Sequence, residues 1–208
     1  MNISTLAKLT LCGLVYIYTV KLIDTLYHGL FSPSLVAMTV VGLNILAGLV
    51  QISFFIALYR QFVPKGKQAL MVAAWMAIIG SAISMLPKLL ALSLLLEQES
   101  LFLFISYRTQ IKAFSPWLAA TLMLAFSLLF LLKHKFSQDR SLKYAFASGA
   151  TGWLIMASVQ ALVFINYLTA GRLNWLAYLF TANPIFFVTA SSLTLLCLSI
   201  FYLTFIRR

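Results

Sequence analysis

Acidic side chains are almost missing from this sequence, which has four Asp and Glu residues against fifteen Lys and Arg residues in a chain of 208. Charged residues of either sign make up 9% of the chain, whereas hydrophobic residues make up 62% and the mean hydropathy is +0.99. A soluble domain of this length needs a far larger charged surface to stay in solution. The sequence therefore predicts an integral membrane protein.

Residues that carry most enzyme chemistry are scarce as well. The only histidines, His28 and His134, are predicted on opposite sides of the membrane, and Cys12 and Cys197 lie in separate apolar runs. The sequence has no acidic cluster, no nucleophile paired with a histidine on one side, and no phosphate-binding loop. We therefore expect a protein that is not an enzyme and that has no metal or cofactor.

Long apolar runs are what the chain has in abundance. Six runs are long enough to cross about 30 Å of hydrocarbon at 1.5 Å per residue. Open strands cannot cross lipid and no alternating barrel pattern is present, so the runs are predicted to be helices of one domain, residues 1–208. They are expected near residues 8–30, 34–58, 69–96, 116–133, 144–169 and 178–205.

The net charge of +11 comes from basic residues that lie mostly between the apolar runs. This arrangement is typical of the positive-inside rule and does not favour a nucleic-acid partner. Ten of the fifteen basic residues fall on one side if both termini are cytoplasmic: Lys8, Arg60, Lys65, Lys67, Lys133, Lys135, Arg140, Lys143, Arg207 and Arg208. The sequence thus predicts a six-helix bundle with both termini in the cytoplasm, most simply in a bacterial cytoplasmic membrane.

The longest predicted outer connection is residues 97–116, between the third and fourth apolar runs. It is too apolar to extend freely into water. Three placements stay open: on the membrane surface, re-entering the membrane, or docked on a partner.

A weak internal repeat joins the two halves of the chain. A shift of 109 residues lays the first three runs over the last three and aligns Val50–Ile56 with Val159–Ile165 through the pattern VQxxxFI. Three helices per half would make the repeat inverted, a plan that many transporters share. Coincidence and common descent stay equally open, because these residue types are frequent in membrane helices.

Charged residues interrupt the first predicted helix at Lys21 and Asp24, with His28 one turn further on. Their spacing places all three on one face of the helix. Lys88 of the third helix lies at a similar predicted depth, so it could form an ion pair with Asp24. The second lysine would then leave a positive charge suited to a carboxylate, a phosphate or a lipid headgroup.

Asn183 and Pro184 complete the candidate ligand site, which is predicted between the first, third and sixth helices. Both residues fall near the outer end of the sixth apolar run. Proline inside a helix frees a carbonyl oxygen and permits a bend, and the bend would expose backbone to a ligand.

A structural explanation for the same charges stays open. If the first helix begins at Ile3 rather than at Lys8, then Lys21 and Asp24 fall near the interface, where lysine can extend its amine to the headgroups. Lys88 has the same option, because its apolar run is longer than one crossing requires.

Two predicted helices also carry faces of small residues and amides. Asn44, Gly48 and Gln51 share a face of the second helix, and Gly149, Gly152, Met156 and Gln160 share a face of the fifth. We interpret these faces mainly as packing surfaces, because small residues let helices approach and amides bond across them. A path for a solute is the alternative.

Two functions fit these features. The first is a transporter, or the substrate-binding membrane subunit of one, that handles a small anionic solute or a lipid. The second is a non-catalytic membrane subunit, sensor or assembly factor that docks on another membrane protein or on a second copy of itself. The short loops and abundant small residues suit this second function equally well.

Overall fold

A computed structural model describes residues 2–27, 34–63, 67–96, 102–133, 140–169 and 184–207, and within these ranges every regular element is an α-helix. The helices are α1 (Ile3–Tyr27), α2 (Ser34–Phe62), α3 (Gln68–Leu96), α4 (Phe102–Lys133), α5 (Arg140–Leu168) and α6 (Pro184–Ile206). The all-helical class predicted from the sequence is confirmed for the described residues.

Each of the six described helices contains a stretch long and apolar enough to cross a membrane. Apolar side chains surround the helices on every face, and outward-facing residues such as Leu46, Leu49 and Leu196 are at least half exposed. Water would penalise such a surface, whereas hydrocarbon does not. The described chain therefore has the architecture of an integral, multi-pass membrane protein.

The helices form a closed ring in chain order. Each helix packs on the next one along the chain, and α6 packs on α1. Neighbours run antiparallel, as α4 and α5 show: Trp117 stacks on Phe164 near one end, and Phe130 stacks on Phe146 near the other. The interior of the ring is therefore shared by all six helices.

The ring closes where the two ends of the chain meet. The hydroxyl of Ser4 donates a hydrogen bond of 2.8 Å to the carbonyl oxygen of Ile206. We call this end of the bundle the terminal end and the opposite end the distal end. Seven described basic residues near the terminal end are all exposed: Lys8, Arg60, Lys67, Lys133, Arg140, Lys143 and Arg207. That this end faces the cytoplasm stays a prediction.

Aromatic side chains fill the interior of the terminal half. The aromatic cluster consists of Phe54, Phe55, Phe126, Phe130, Phe146, Phe201, Tyr202 and Phe205, all with no exposed surface. Most of its rings meet edge to face, with centroids 5.1 Å apart for Phe54 and Tyr202. Such pairs contribute about 0.5–1.5 kcal/mol beyond their burial, so the cluster ties α2, α4, α5 and α6 together across the ring.

Glycines bring α5 and α6 into close contact. A Cβ atom at Gly149 would lie 3.0 Å from the Cδ2 atom of Phe201, and one at Gly152 would lie 3.1 Å from the Cβ atom of Cys197. Both distances are tighter than ordinary side-chain contacts. The packing role predicted for these two glycines is therefore confirmed.

The connection predicted over residues 97–116 is wrong for most of its length. Helix α4 begins at Phe102 and continues through Pro116 to Lys133. Pro116 cannot donate to the carbonyl oxygen of Lys112, but membrane helices tolerate this loss where neighbouring helices pack against them. Residues 97–101 lie outside the described ranges.

The first helix begins at Ile3, five residues before the predicted start at Lys8. Its strongly apolar span covers Ile3–Val20. Lys21 and Asp24 thus follow the apolar span within the same helix, and this is the arrangement that favours the structural explanation of their charges.

The order of helices in the ring gives the predicted inverted repeat no support. A two-fold axis in the membrane plane that exchanges α1 with α4 would exchange α2 with α3 in this ring. The sequence alignment instead pairs α2 with α5. The repeat stays a prediction from four shared residues.

Candidate ligand-binding site

A cavity of about 340 Å³ occupies the distal half of the ring, and all six helices line it. This volume lies within the range of small-molecule sites, roughly 300–1,000 Å³. Met123 lines the cavity, whereas Phe126, one turn further along α4, belongs to the aromatic cluster. The cluster therefore forms the floor of the cavity on its terminal side.

The wall of the cavity is mostly apolar, with a few polar groups. Of the described residues that line it, Lys88 alone is charged. Neutral hydrogen-bonding groups come from Tyr18, Asn44, Gln51, Ser84, Trp153 and Gln160. An apolar wall with a few convergent polar groups is the usual composition of a site for a small organic ligand.

Lys88 is held at the junction of α2 and α3. Its ammonium group donates a hydrogen bond of 3.3 Å to the backbone carbonyl oxygen of Asn44. A charge at membrane depth is costly unless polar groups or another charge solvate it. The bond thus orients the ammonium group within a part-buried, polar corner of the cavity.

Two prolines on adjacent helices, Pro87 of α3 and Pro116 of α4, also line the cavity. Since proline has no N–H group, neither proline can donate the usual helical bond to the carbonyl oxygen four residues before it. One turn before Pro87, the Ser84 hydroxyl donates a hydrogen bond of 2.7 Å to the carbonyl oxygen of Ser81. This wall is where the helices that surround the cavity are easiest to bend.

Polar contacts also join the cavity wall to α6. Tyr18 interacts with the Thr194 side chain, and the Thr194 hydroxyl donates 2.8 Å to the carbonyl oxygen of Ala190. The Tyr202 hydroxyl lies near the side chain of Gln51, although its geometry falls short of a well-formed hydrogen bond. The wall is thus connected to α6 from both α1 and α2.

Of the residues predicted to form the site, only Lys88 is placed in the cavity. For Lys21 and Asp24 the description ends at the helical backbone of α1. His28 and Asn183 lie outside the described residues. The predicted ion pair between Asp24 and Lys88 therefore stays a prediction.

The sequence predicted that Pro184 bends the sixth helix. In the structure, Pro184 does not lie in the interior of the described part of that helix. It is the first residue of α6. Proline suits this position, because the N–H group it lacks would have no helical partner there. Residues 170–183 lie outside the described ranges.

The wall of the cavity includes residues that the sequence did not assign to the ligand site. Asn44, Gln51 and Gln160 were assigned mainly to helix packing, yet all three line the cavity. Trp153 was missed altogether. One signal was available, since tryptophan favours the membrane interfaces and Trp153 lies in the middle of its helix.

Comparison of the chain with protein-family models, curated proteins and solved structures gives no match. Within the described ranges, no group of three or more His, Cys, Asp or Glu residues could hold a metal ion.

Proposed function

We propose that this protein binds a small amphipathic anion, either a solute or a lipid headgroup, in the cavity, and acts as a transporter or as the substrate-binding membrane subunit of one. The observation that carries the proposal is that Lys88 is the one charged residue among the described residues that line a mostly apolar cavity of about 340 Å³. An apolar body would occupy the space between the helices, and its anionic group would meet Lys88.

The surroundings of Lys88 support an anionic ligand. Two unit charges attract each other more strongly where the effective dielectric constant is low, as it is inside a membrane bundle. The ammonium group carries three N–H donors, one of which bonds the Asn44 carbonyl oxygen. No step of bond making or breaking is proposed, and the role is binding and passage alone.

The aromatic cluster indicates how a ligand would enter. Because these rings fill the terminal half, a ligand would reach the cavity from the distal end. A transporter would then have to part the cluster for release on the terminal side, whereas a binding subunit would leave it closed. The bend sites at Pro87 and Pro116 are where such a motion would be absorbed.

The test uses octanoate as the probe, with octylammonium as its cationic counterpart and the protein reconstituted in lipid nanodiscs. Octanoate is expected to raise the unfolding temperature, and octylammonium is not. Lys88→Met should weaken octanoate binding about ten- to hundredfold, because a hydrogen bond to a charged group is lost. Lys143→Met is the matched control, since Lys143 is exposed on α5 at the terminal end.

Equal octanoate binding by wild type and Lys88→Met would contradict the proposal. If neither probe binds and a second membrane protein co-purifies in stoichiometric amount, the docking function is favoured instead. Uptake of octanesulfonate into liposomes, a probe that stays ionised, separates a transporter from a binding subunit.

A further inference from the structure

Trp153 lines the cavity and carries a buried hydrogen-bond donor. Its side chain is 5% exposed and lines the cavity, and its indole N–H group finds no hydrogen-bond partner among the described residues. A buried donor without a partner costs free energy, so such groups in folded proteins are nearly always satisfied. The partner of this donor is therefore expected within the cavity itself.

Asn44 carries a second buried atom of this kind, its Oδ1 atom, beside Lys88. The two side chains do not specify the hydrogen-bonding group of a ligand equally well. The oxygen and nitrogen of an amide exchange places when the group is flipped, so Asn44 can present either a donor or an acceptor. An indole can only donate, and Trp153 therefore specifies the chemistry that it requires.

Lys88 and Trp153 lie at opposite ends of the cavity. On α3 the lining residues extend from Gly80 to Lys88, and on α5 they extend from Trp153 to Gln160. At 1.5 Å per residue these stretches span about 10–12 Å. Both helices begin at the terminal end, so Lys88 marks the distal end of the cavity and Trp153 the terminal end.

We infer that the ligand carries a hydrogen-bond acceptor, such as a hydroxyl or carbonyl oxygen, at the end opposite its anionic group, and that Trp153 donates to this acceptor. The ligand class is then an amphipathic anion with a second polar group about 10 Å from the first. A simple fatty acid or alkyl phosphate would fill the space but leave the indole N–H group unpaired. This inference rests on the proposed function and narrows its ligand.

The experiment compares octanoate with 8-hydroxyoctanoate, which differs by one terminal hydroxyl group, in protein reconstituted in nanodiscs. Wild type is expected to bind 8-hydroxyoctanoate about three- to tenfold more tightly, the net effect of one added hydrogen bond. Trp153→Phe keeps an aromatic ring but removes the donor, so it should bind the two probes equally. Trp75→Phe is the matched control, because Trp75 is exposed on α3 and should leave the preference intact.

A second measurement keeps the inference testable if Trp153→Phe fails to fold. With ¹⁵N-labelled indole in the wild-type protein, the Trp153 N–H resonance should shift downfield with 8-hydroxyoctanoate and stay in place with octanoate. Equal binding of the two probes by wild type, or a preference that survives in Trp153→Phe, overturns the inference while leaving the proposed function standing. Failure of both probes to bind overturns the proposed function itself.

Discussion

The two halves of the bundle are built from the same six helices, yet one half is filled and the other holds a cavity. In the terminal half, eight aromatic side chains meet at the centre of the ring. In the distal half, the wall of the cavity combines larger residues such as Trp153 and Met156 with small ones, Gly80, Ala119 and Ala120. Side chains as small as the last three cannot fill the middle of a six-helix ring. The volume of the inward-facing side chains, rather than the path of the helices, thus creates the candidate site.

The same contrast separates stability from function. Edge-to-face rings make the terminal half dense and rigid. The cavity wall in the distal half contains Pro87, Pro116, three amide side chains and Lys88, and groups of these kinds inside a membrane bundle lower stability unless something else compensates. The same type of substitution should therefore change the free energy of unfolding differently in the two halves.

The largest effect is expected from Phe126→Ala. Phe126 is fully buried, and its ring contacts those of Phe55, Phe130 and Phe146. Its removal should lower the free energy of unfolding by about 3–5 kcal/mol, the usual cost of Phe→Ala in a packed core. The measurement is reversible unfolding in bicelles or mixed micelles, followed by tryptophan fluorescence.

Met123→Ala is the control for this change, one turn away on the cavity side of α4. Since Met123 already borders open space, its truncation should cost less than half as much as Phe126→Ala. Equal costs at the two positions would mean that the halves do not differ in packing, and the comparison would fail.

A smaller effect, which should differ between the two halves, is expected when an alanine is replaced by leucine. Ala145→Leu places three extra carbons in the filled half, where Ala145 is fully buried, and should destabilise by about 1–3 kcal/mol. Ala120→Leu projects the same carbons into the cavity and should leave stability unchanged or raised. Ala120→Leu should also abolish octanoate binding, measured by the shift in unfolding temperature. Binding that persists after Ala120→Leu would place the ligand elsewhere.

The sequence was sufficient to predict six apolar helices, because their length and hydropathy are properties of single segments. It failed at α4, because residues 102–115 of this helix were predicted to belong to the connection that precedes it. Whether a proline interrupts a membrane helix depends on the helices packed around it, and a single segment does not carry that information.

The cavity was also beyond the reach of sequence patterns. An amide that faces a neighbouring helix and one that faces a cavity have the same spacing in the sequence. The positions of Gln51 and Gln160 therefore do not indicate that these residues line a cavity. What decides between the two is the size of the other side chains that face the centre of the ring, such as those of Ala119 and Ala120. Which side chains face the centre can be determined only when the order of the helices in the ring is known. Lys88 was found because a charge in an apolar run is conspicuous wherever it points.

The smallest expected difference concerns two glycines, one in each half. A Cβ atom at Gly149 would meet the ring of Phe201 at 3.0 Å, whereas one at Gly48 would meet the Cγ atom of Met85 at 2.8 Å. Alanine stabilises a helix by about 0.5–1 kcal/mol relative to glycine. Whether each substitution stabilises or destabilises the protein therefore depends on whether the neighbouring side chain can move away from the added methyl group. Phe201 is fixed by other rings of the cluster, and Gly149→Ala should therefore destabilise.

Gly48→Ala should cost less than Gly149→Ala despite its shorter distance, because the methionine side chain of Met85 can change its rotamer. Gly42→Ala on the same helix, where a Cβ atom would meet nothing within 4 Å, measures the helix preference alone. The three unfolding free energies should then rank Gly149→Ala lowest, with Gly48→Ala close to Gly42→Ala. A Gly48→Ala protein as unstable as Gly149→Ala would show that the distal half is as tightly held as the terminal half, and that its open space cannot absorb even one methyl group.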